Sequence, residues 1–369
     1  MSNITWIMGN GFDRQLGLKT GYKDFYEYYL EKRSSDTDAI TNFKKVLKVD
    51  KNTETWADFE LEYGNYSKKC AYDNDDYSLI KADAEQQLIL YLTDIQESID
   101  WSAINSSHKR SFTTSVLDWI KELKQIPHDK IEKMLNNYNT RGQVRFLTFN
   151  YTNILHKLIS LTKDDLKSYL DAKVGNRFLY DYYNVTSIGT ARYLHGNLKD
   201  GIVFGVDNIS QITNPNFHNN QEIISEMVKP KQLSDIQELD VNNDISSELA
   251  KNDINESAII CVFGSSIGNT DESWWRFIGK WLKQTNKLLI IFNYEGSKPD
   301  SLIVREKRRV RDKKEKYKKE ILDSFKRNSG WDDDTFKANK DKIIIALNEN
   351  LFNFKLPLID VSSKKIIPS

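Results

Sequence analysis

Thr5-Trp6-Ile7-Met8-Gly9-Asn10-Gly11-Phe12-Asp13 carries an apolar, β-branched and aromatic run straight into Gly-x-Gly, followed by helix-forming sequence. This is the pattern of the first βα turn of a nucleotide-binding α/β domain. The first glycine permits the tight turn, the second admits a pyrophosphate close to backbone N–H groups, and the helix N-terminus behind them favours negative charge. Gly17 does not stand where the third glycine of G-x-G-x-x-G belongs, and no acidic residue is clearly placed to hold a ribose. A plain strand-to-helix turn therefore stays open as the other reading.

Further along, apolar runs bounded by turn residues mark more strands at Val144–Phe149, Thr186–Leu194, Ile202–Val206, Ala258–Phe263, Lys287–Phe292 and Lys342–Leu347. The runs at 258–263 and 287–292 are continuously apolar, as buried parallel strands are. Between 14 and 140 the spacing is helical instead, with Leu88, Ile89, Leu92, Ile95 and Ile99 recurring every three or four residues. Helices are also expected at Tyr151–Leu161 and Asp271–Leu282, and the Asn-, Ser- and Asp-rich stretch 207–256 reads as helices among long loops. The expectation is an α/β protein with a mainly parallel sheet covered by helices. Residues 1–13 with 141–369 form its Rossmann-type core, and 14–140 an inserted helical lobe.

Composition narrows the class. The 369 residues are 39% hydrophobic and 12% aromatic, which suits a packed globular chain. No apolar run approaches the roughly 18–20 residues that cross a bilayer, so no membrane association is expected. The N-terminus has no basic stretch leading into an apolar one, as a secretory signal does. Cys70 and Cys261 show neither metal-ligand nor disulfide spacing, which fits a reducing cytoplasm. Fifty-three basic residues balance 53 acidic ones, so the whole-protein field gives no argument for nucleic acid.

In a parallel α/β sheet, ligands bind outside the carboxyl ends of the strands. Those ends carry Gly9-Asn10-Gly11-Phe12-Asp13, Asn150-Tyr151-Thr152-Asn153, His195-Gly196-Asn197, Gly264-Ser265-Ser266-Ile267-Gly268 and Asn293-Tyr294-Glu295. All offer small, amide, hydroxyl or imidazole groups, and their convergence says more than any one of them.

The ordered set Gly-x-Gly, strand-end Asn, His-Gly, Gly-Ser-Ser and strand-Asn-x-Glu resembles the sirtuin-like NAD-binding fold. More closely, Gly9-Asn10-Gly11-Phe12-Asp13, Trp56-Ala57-Asp58-Phe59-Glu60, Phe149-Asn150-Tyr151-Thr152, Leu194-His195-Gly196-Asn197 with Val203-Phe204-Gly205, and Gly264-Ser265-Ser266 with Asp271 resemble the AbiH family. That family comprises bacterial abortive-infection proteins acting against bacteriophage. Sirtuins carry a four-cysteine zinc module that the two cysteines here cannot supply, so no structural zinc, no other metal and no protein deacylation are expected.

The resemblance implies NAD as ligand or substrate, cleaved at the nicotinamide N-glycosidic bond with no further cofactor required. It places Gly9, Asn10, Gly11, Phe12, Gly264, Ser265 and Ser266 around the pyrophosphate, and Asn293 and Glu295 on the adenosine side. Asn150, His195 and Asp13 are the candidate catalytic residues. His195 is a possible general base or a hydrogen-bonded loop histidine. Asn150 holds ribose or water, or caps the helix expected at Tyr151. Asp13 contacts the ribose or complements the helix dipole. Ser265 and Ser266 donate to phosphate or form a polar helix start. In the Trp56–Glu60 motif, a buried Trp56 and Phe59 with solvated acids stands against Asp58 or Glu60 placed over the cleft.

An NAD-consuming effector needs restraint until infection, which implies a phage-derived trigger, a partner protein or homo-oligomeric assembly. A non-catalytic nucleotide sensor is the alternative from another class. A third is a nucleic-acid-acting effector using Val304–Glu320, where ten basic residues face four acidic ones. The apolar stripe Ile303, Val310, Tyr317, Ile321 favours reading that stretch as the solvated face of an amphipathic helix.

Overall fold

A computed structural model describes residues 3–32, 37–49, 56–69, 74–123, 127–131, 142–174, 185–232, 247–293, 304–347 and 350–359. Six strands form one parallel sheet in the order β3-β2-β1-β6-β7-β8. They are β1 (Asn3–Met8), β2 (Gly142–Thr148), β3 (Val185–Tyr193), β6 (Ser257–Phe263), β7 (Leu288–Asn293) and β8 (Ile343–Leu347). Two further strands, β4 (Gly196–Asn197) and β5 (Gly201–Ile202), make a separate antiparallel pair. The fold is Rossmann-like: the chain builds outward from β1 through β2 to β3, then crosses back to β6 and proceeds the other way. The crevice between the ends of β1 and β6 is the topological switch point, where this architecture takes its ligands.

Both sheet faces are covered, which explains the unbroken apolar runs. On one face Trp6 stacks on Phe292 at 5.7 Å and meets Trp119 and Phe352 edge-on. On the other, Ile7, Ile260, Val262, Leu289 and Ile291 pack with Trp274, Trp275, Ile278 and Trp281 of the helix Glu272–Leu282. Trp281 buries its indole and donates Nε1–H to Ser257 O at 3.0 Å, so the polar edge is satisfied.

The helical block divides between two cores. Helices α1 (Gly11–Gln15), α2 (Tyr22–Glu31), α3 (Asp38–Val49), α4 (Trp56–Tyr66), α5 (Asn74–Glu97) and α6 (Ser106–Leu117) follow β1. Tyr22, Phe25, Phe43, Tyr63, Tyr77 and Leu88 from α2 to α5 share a core with Ile202, Phe204, Val206, Phe217, Ile223 and Met227. By contrast Phe112, Val116 and Leu117 of α6, with Trp119, Ile120 and Ile131, join the core beneath the sheet.

Two sequence expectations are corrected. The run Ile202–Val206 is not a sheet strand: beyond the β4–β5 pair it makes only an isolated bridge from Val206 to Val228. Gly205, within the run, holds φ of +152°, a backbone conformation outside the strand region. The run's apolar side chains plug the lobe core instead. The helix after β2 spans Ile154–Leu161 rather than starting at Tyr151. Among the described residues no helix is long and apolar enough to cross a membrane.

Candidate functional site

A cavity of about 880 Å³ opens at the switch point, within the range of small-molecule sites. The ends of β1, β2, β3, β6 and β7 all contribute to its wall, joined on the lobe side by Tyr22, Glu60 and Leu92.

The glycine turn closes the floor by backbone-on-backbone contact. Gly9 N donates to Phe263 O at 2.9 Å and Gly11 N to Gly264 O at 2.7 Å. A Cβ at Gly9 would stand 2.5 Å from Ser265 Cα, and one at Gly11 2.5 Å from Gly264 Cα. Gly264 has φ +66°, and a Cβ there would meet Phe12 N at 2.5 Å. The three glycines therefore interlock the β1 and β6 turns. The N–H groups expected to face a pyrophosphate are engaged by the neighbouring strand, because the two turns sit too close for anything between them. Asn10 also turns inward, exchanging hydrogen bonds with Thr20 through Nδ2 to Thr20 O (2.8 Å) and Oδ1 from Thr20 Oγ1 (2.6 Å). That fixes the loop after α1 against the turn.

Asp13, on the first turn of α1, is 1% exposed and accepts from Asn150 Nδ2 at 3.0 Å and from Thr152 Oγ1 at 2.7 Å. Burial pushes its carboxyl up to about 7, against the pull of those two hydrogen bonds. Asn150 caps no helix. The N-cap of Ile154–Leu161 is Asn153, and the Asn150 backbone N–H is held by Thr148 Oγ1 at 3.0 Å. With Nδ2 given to Asp13, its Oδ1 is buried without a hydrogen-bond partner among the described residues, in a residue that lines the cavity. A buried acceptor left open is costly unless something else fills it.

On the next wall, His195 follows β3 and sits against Phe149 at 5.0 Å between ring centroids. Its Nε2 lies 3.1 Å from Asp271 Oδ1. Lys229 bridges the same Asp271 oxygen (3.2 Å), Glu60 Oε2 (2.8 Å) and Thr270 O (3.1 Å). Glu60 comes from α4 of the lobe, and Asp271 from just before the helix Glu272–Leu282. The network thus ties the lobe to the sheet.

The charges shape one another. Burial works to raise Asp271, yet Lys229 and His195 hold it well below the usual carboxylate range. Burial lifts Glu60 to about 7 although Lys229 pulls it down. Lys229 stays charged because Asp271 and Glu60 outweigh its desolvation. Burial, then the Lys229 charge, lower the His195 imidazole, so its neutral form dominates at neutral pH. In that form Nε2–H donates to Asp271 and the lone pair sits on Nδ1.

Of the other residues singled out in the sequence, Gly9, Asn10, Gly11, Gly264, Ser265, Ser266 and Asn293 line the cavity. Ser265 and Ser266 start no helix, since Glu272 is the first residue of the next one. Phe12 is not among the residues that line the cavity: it is fully buried against Phe352 at 5.1 Å and Phe263 at 6.5 Å. Helix geometry turns it inward while its neighbour Asp13 looks toward the cavity. Glu295 lies outside the described residues, as do the side chains of Trp56, Asp58 and Phe59, whereas Glu60 is in the wall. Lys229 was not foreseen, and a single Lys-Pro step in a polar stretch carries no signal for it. Among the described residues, no group of three or more His, Cys, Asp or Glu side chains is placed to hold a metal ion.

A Rossmann-like sheet with a walled cavity at its switch point, carrying a buried carboxylate, an amide and an imidazole, defines an α/β protein with a candidate ligand site. The chain belongs to the bacteriophage abortive infection family AbiH, which it matches over residues 5–294. That span runs from β1 to just beyond β7 and includes Asp13, Glu60, Asn150, His195, Lys229 and Asp271. It gives the chain a role in phage abortive infection. No curated protein matches it.

Proposed function

We propose that the cavity binds NAD and hydrolyses its nicotinamide N-glycosidic bond, the step by which this abortive-infection protein stops an infected cell. The observation that supports the reading is that Asp13, Asn150 and His195 line one cavity, with Asn150 fixed by Asp13 and its buried Oδ1 without a hydrogen-bond partner among the described residues. An acceptor fixed in this way orients a water or a ribose hydroxyl.

In the reaction, the oxygen of an Asn150-held water bonds to C1′ of the nicotinamide ribose. The C1′–N bond breaks, and its electron pair leaves with the pyridinium nitrogen, giving neutral nicotinamide. The water proton passes to His195 Nδ1 and then to solvent, leaving ADP-ribose. Charge on the oxocarbenium-like ribose is offset by Asp13, which is partly ionised near neutral pH. No further cofactor or metal enters this scheme. Because all cellular reactions share NAD, the activity would wait on a phage-derived trigger, a partner protein or assembly of several chains.

The test is to incubate the purified chain with NAD, with and without lysate of phage-infected cells, and to follow free nicotinamide by chromatography. Release is expected in at least one condition, with loss of about 100-fold or more in His195→Ala, the scale of general-base catalysis. NAD that binds but stays intact in every condition favours the nucleotide-sensor reading. Release that persists in both His195→Ala and Asn150→Ala refutes the assignment of these residues.

A further inference from the structure

A dinucleotide brings a doubly charged pyrophosphate into a cavity whose wall already holds three carboxylates, Asp13, Glu60 and Asp271. Something must offset that charge, and the N–H groups of Gly9, Gly11 and Phe12 do not. The N–H groups of Gly9 and Gly11 go to β6-side carbonyls, and Phe12 N goes to Gly9 O at 2.9 Å. The five-residue helix α1 is too short to supply a field of its own.

Among the described lining residues the lysine and arginine cations are Lys229 and Arg14. Lys229 is 4% exposed and has Glu60, Asp271 and the Thr270 carbonyl around its ammonium, so its donors are engaged. Arg14 differs in every respect. It is exposed, lines the cavity beside Asp13, and makes no ion pair or side-chain hydrogen bond among the described residues. Its stem is positioned by the turn that follows α1. A Cβ on Gly21 would lie 3.4 Å from Arg14 Nε and 3.6 Å from its Cδ, so the bare glycine leaves the side chain its place. That turn is held in its own right, by Gly21 N to Asp24 Oδ2 at 3.1 Å and by the Asn10–Thr20 exchange.

We infer that Arg14 is the anion-binding residue of the cavity, its guanidinium taking the phosphate oxygens of a nucleotide diphosphate. Planar bidentate pairing is what arginine offers a phosphate and lysine does not. The inference rests on a phosphate-bearing nucleotide occupying the cavity and is independent of whether that nucleotide is cleaved.

Calorimetric titration with ADP-ribose tests it, using the full chain and three variants. Arg14→Gln is expected to weaken binding about 10- to 100-fold, the scale of one charge-assisted pair. Arg14→Lys recovers part of the loss as a point charge, and the salt dependence of binding flattens in the glutamine variant. Lys163→Gln, the same charge change at an exposed residue outside the cavity wall, leaves binding unchanged and controls for net charge. Equal affinity in wild type and Arg14→Gln would overturn the role of Arg14 and leave the nucleotide site standing. No binding of ADP-ribose or NAD by the wild type overturns the inference together with the functional reading.

Discussion

Replacing Lys229 by methionine keeps much of the side-chain volume and removes a single buried cation. The ammonium contacts Glu60 Oε2 at 2.8 Å and Asp271 Oδ1 at 3.2 Å, and all three residues are buried or nearly so. Two carboxylates are then left without their counter-ion in a low-dielectric setting. Breaking a buried ion pair by removing one partner costs about 3–5 kcal/mol, and that loss is expected at pH 8.

The loss depends on pH in a defined direction. Glu60 already titrates at about 7 in the folded chain, above its ordinary 4.5. A raised carboxylate stabilises the fold when protonated, fully below 4.5, and loses that contribution as pH rises through the folded value. Without Lys229 the folded value moves higher still, so between pH 8 and 7 the variant gains more stability than the wild type, whose Glu60 is only partly protonated there. The penalty therefore shrinks by up to about 1 kcal/mol over that unit. Urea denaturation followed by fluorescence of the buried tryptophans reads both numbers. A penalty below about 1 kcal/mol, or one that grows as pH falls from 8 to 7, refutes the buried network.

Other outcomes follow from the same geometry. Asp13→Asn flattens the stability profile: the wild-type carboxyl, raised to about 7, adds stability below about pH 4 and loses it as pH rises to 7. The difference between the two profiles is on the order of 4 kcal/mol across that window, read by urea denaturation, and parallel profiles contradict it. Asp271→Asn removes the carboxylate that favours imidazolium, so the His195 titration moves to lower pH. Nitrogen NMR of the ring reads that shift, and an unchanged or raised value contradicts the His195–Asp271 pair. Gly11→Ala places a methyl 2.5 Å from Gly264 Cα, backbone that cannot step aside. It should cost roughly 3 kcal/mol or more in urea denaturation, and near-wild-type stability would contradict the glycine interlock.

The sequence made the sheet readable because its strands are buried on both faces and appear as uninterrupted apolar runs. It also located the cavity, since Gly9, Asn150, His195, Ser265 and Asn293 all follow strand ends and parallel strands bring those ends to one edge. The Ile202–Val206 run misled because apolar residues serve a loop that plugs the lobe as well as a strand. Phe12 misled for a related reason, being adjacent to the turn in sequence but rotated into the core by α1. Asn150 caps no helix because the helix begins at Ile154, three residues later than the spacing suggested, which puts Asn153 at the N-cap. The purpose of the glycines was half legible: close approach was expected, and the structure shows it between the β1 turn and the β6 turn. Lys229 had no local signal, since its importance comes from Glu60 and Asp271, which the fold collects from positions 169 and 42 residues away.

The most direct measurement is the fate of NAD in water enriched in oxygen-18, with the purified chain and lysate of phage-infected cells. Mass spectrometry of the products is expected to show nicotinamide without label and ADP-ribose with one heavy oxygen at C1′. The label should be lost with turnover in Asn150→Ala while ADP-ribose still binds. Recovery of intact NAD from every reaction, or cleavage that leaves ADP-ribose unlabelled, contradicts hydrolysis at the switch-point cavity.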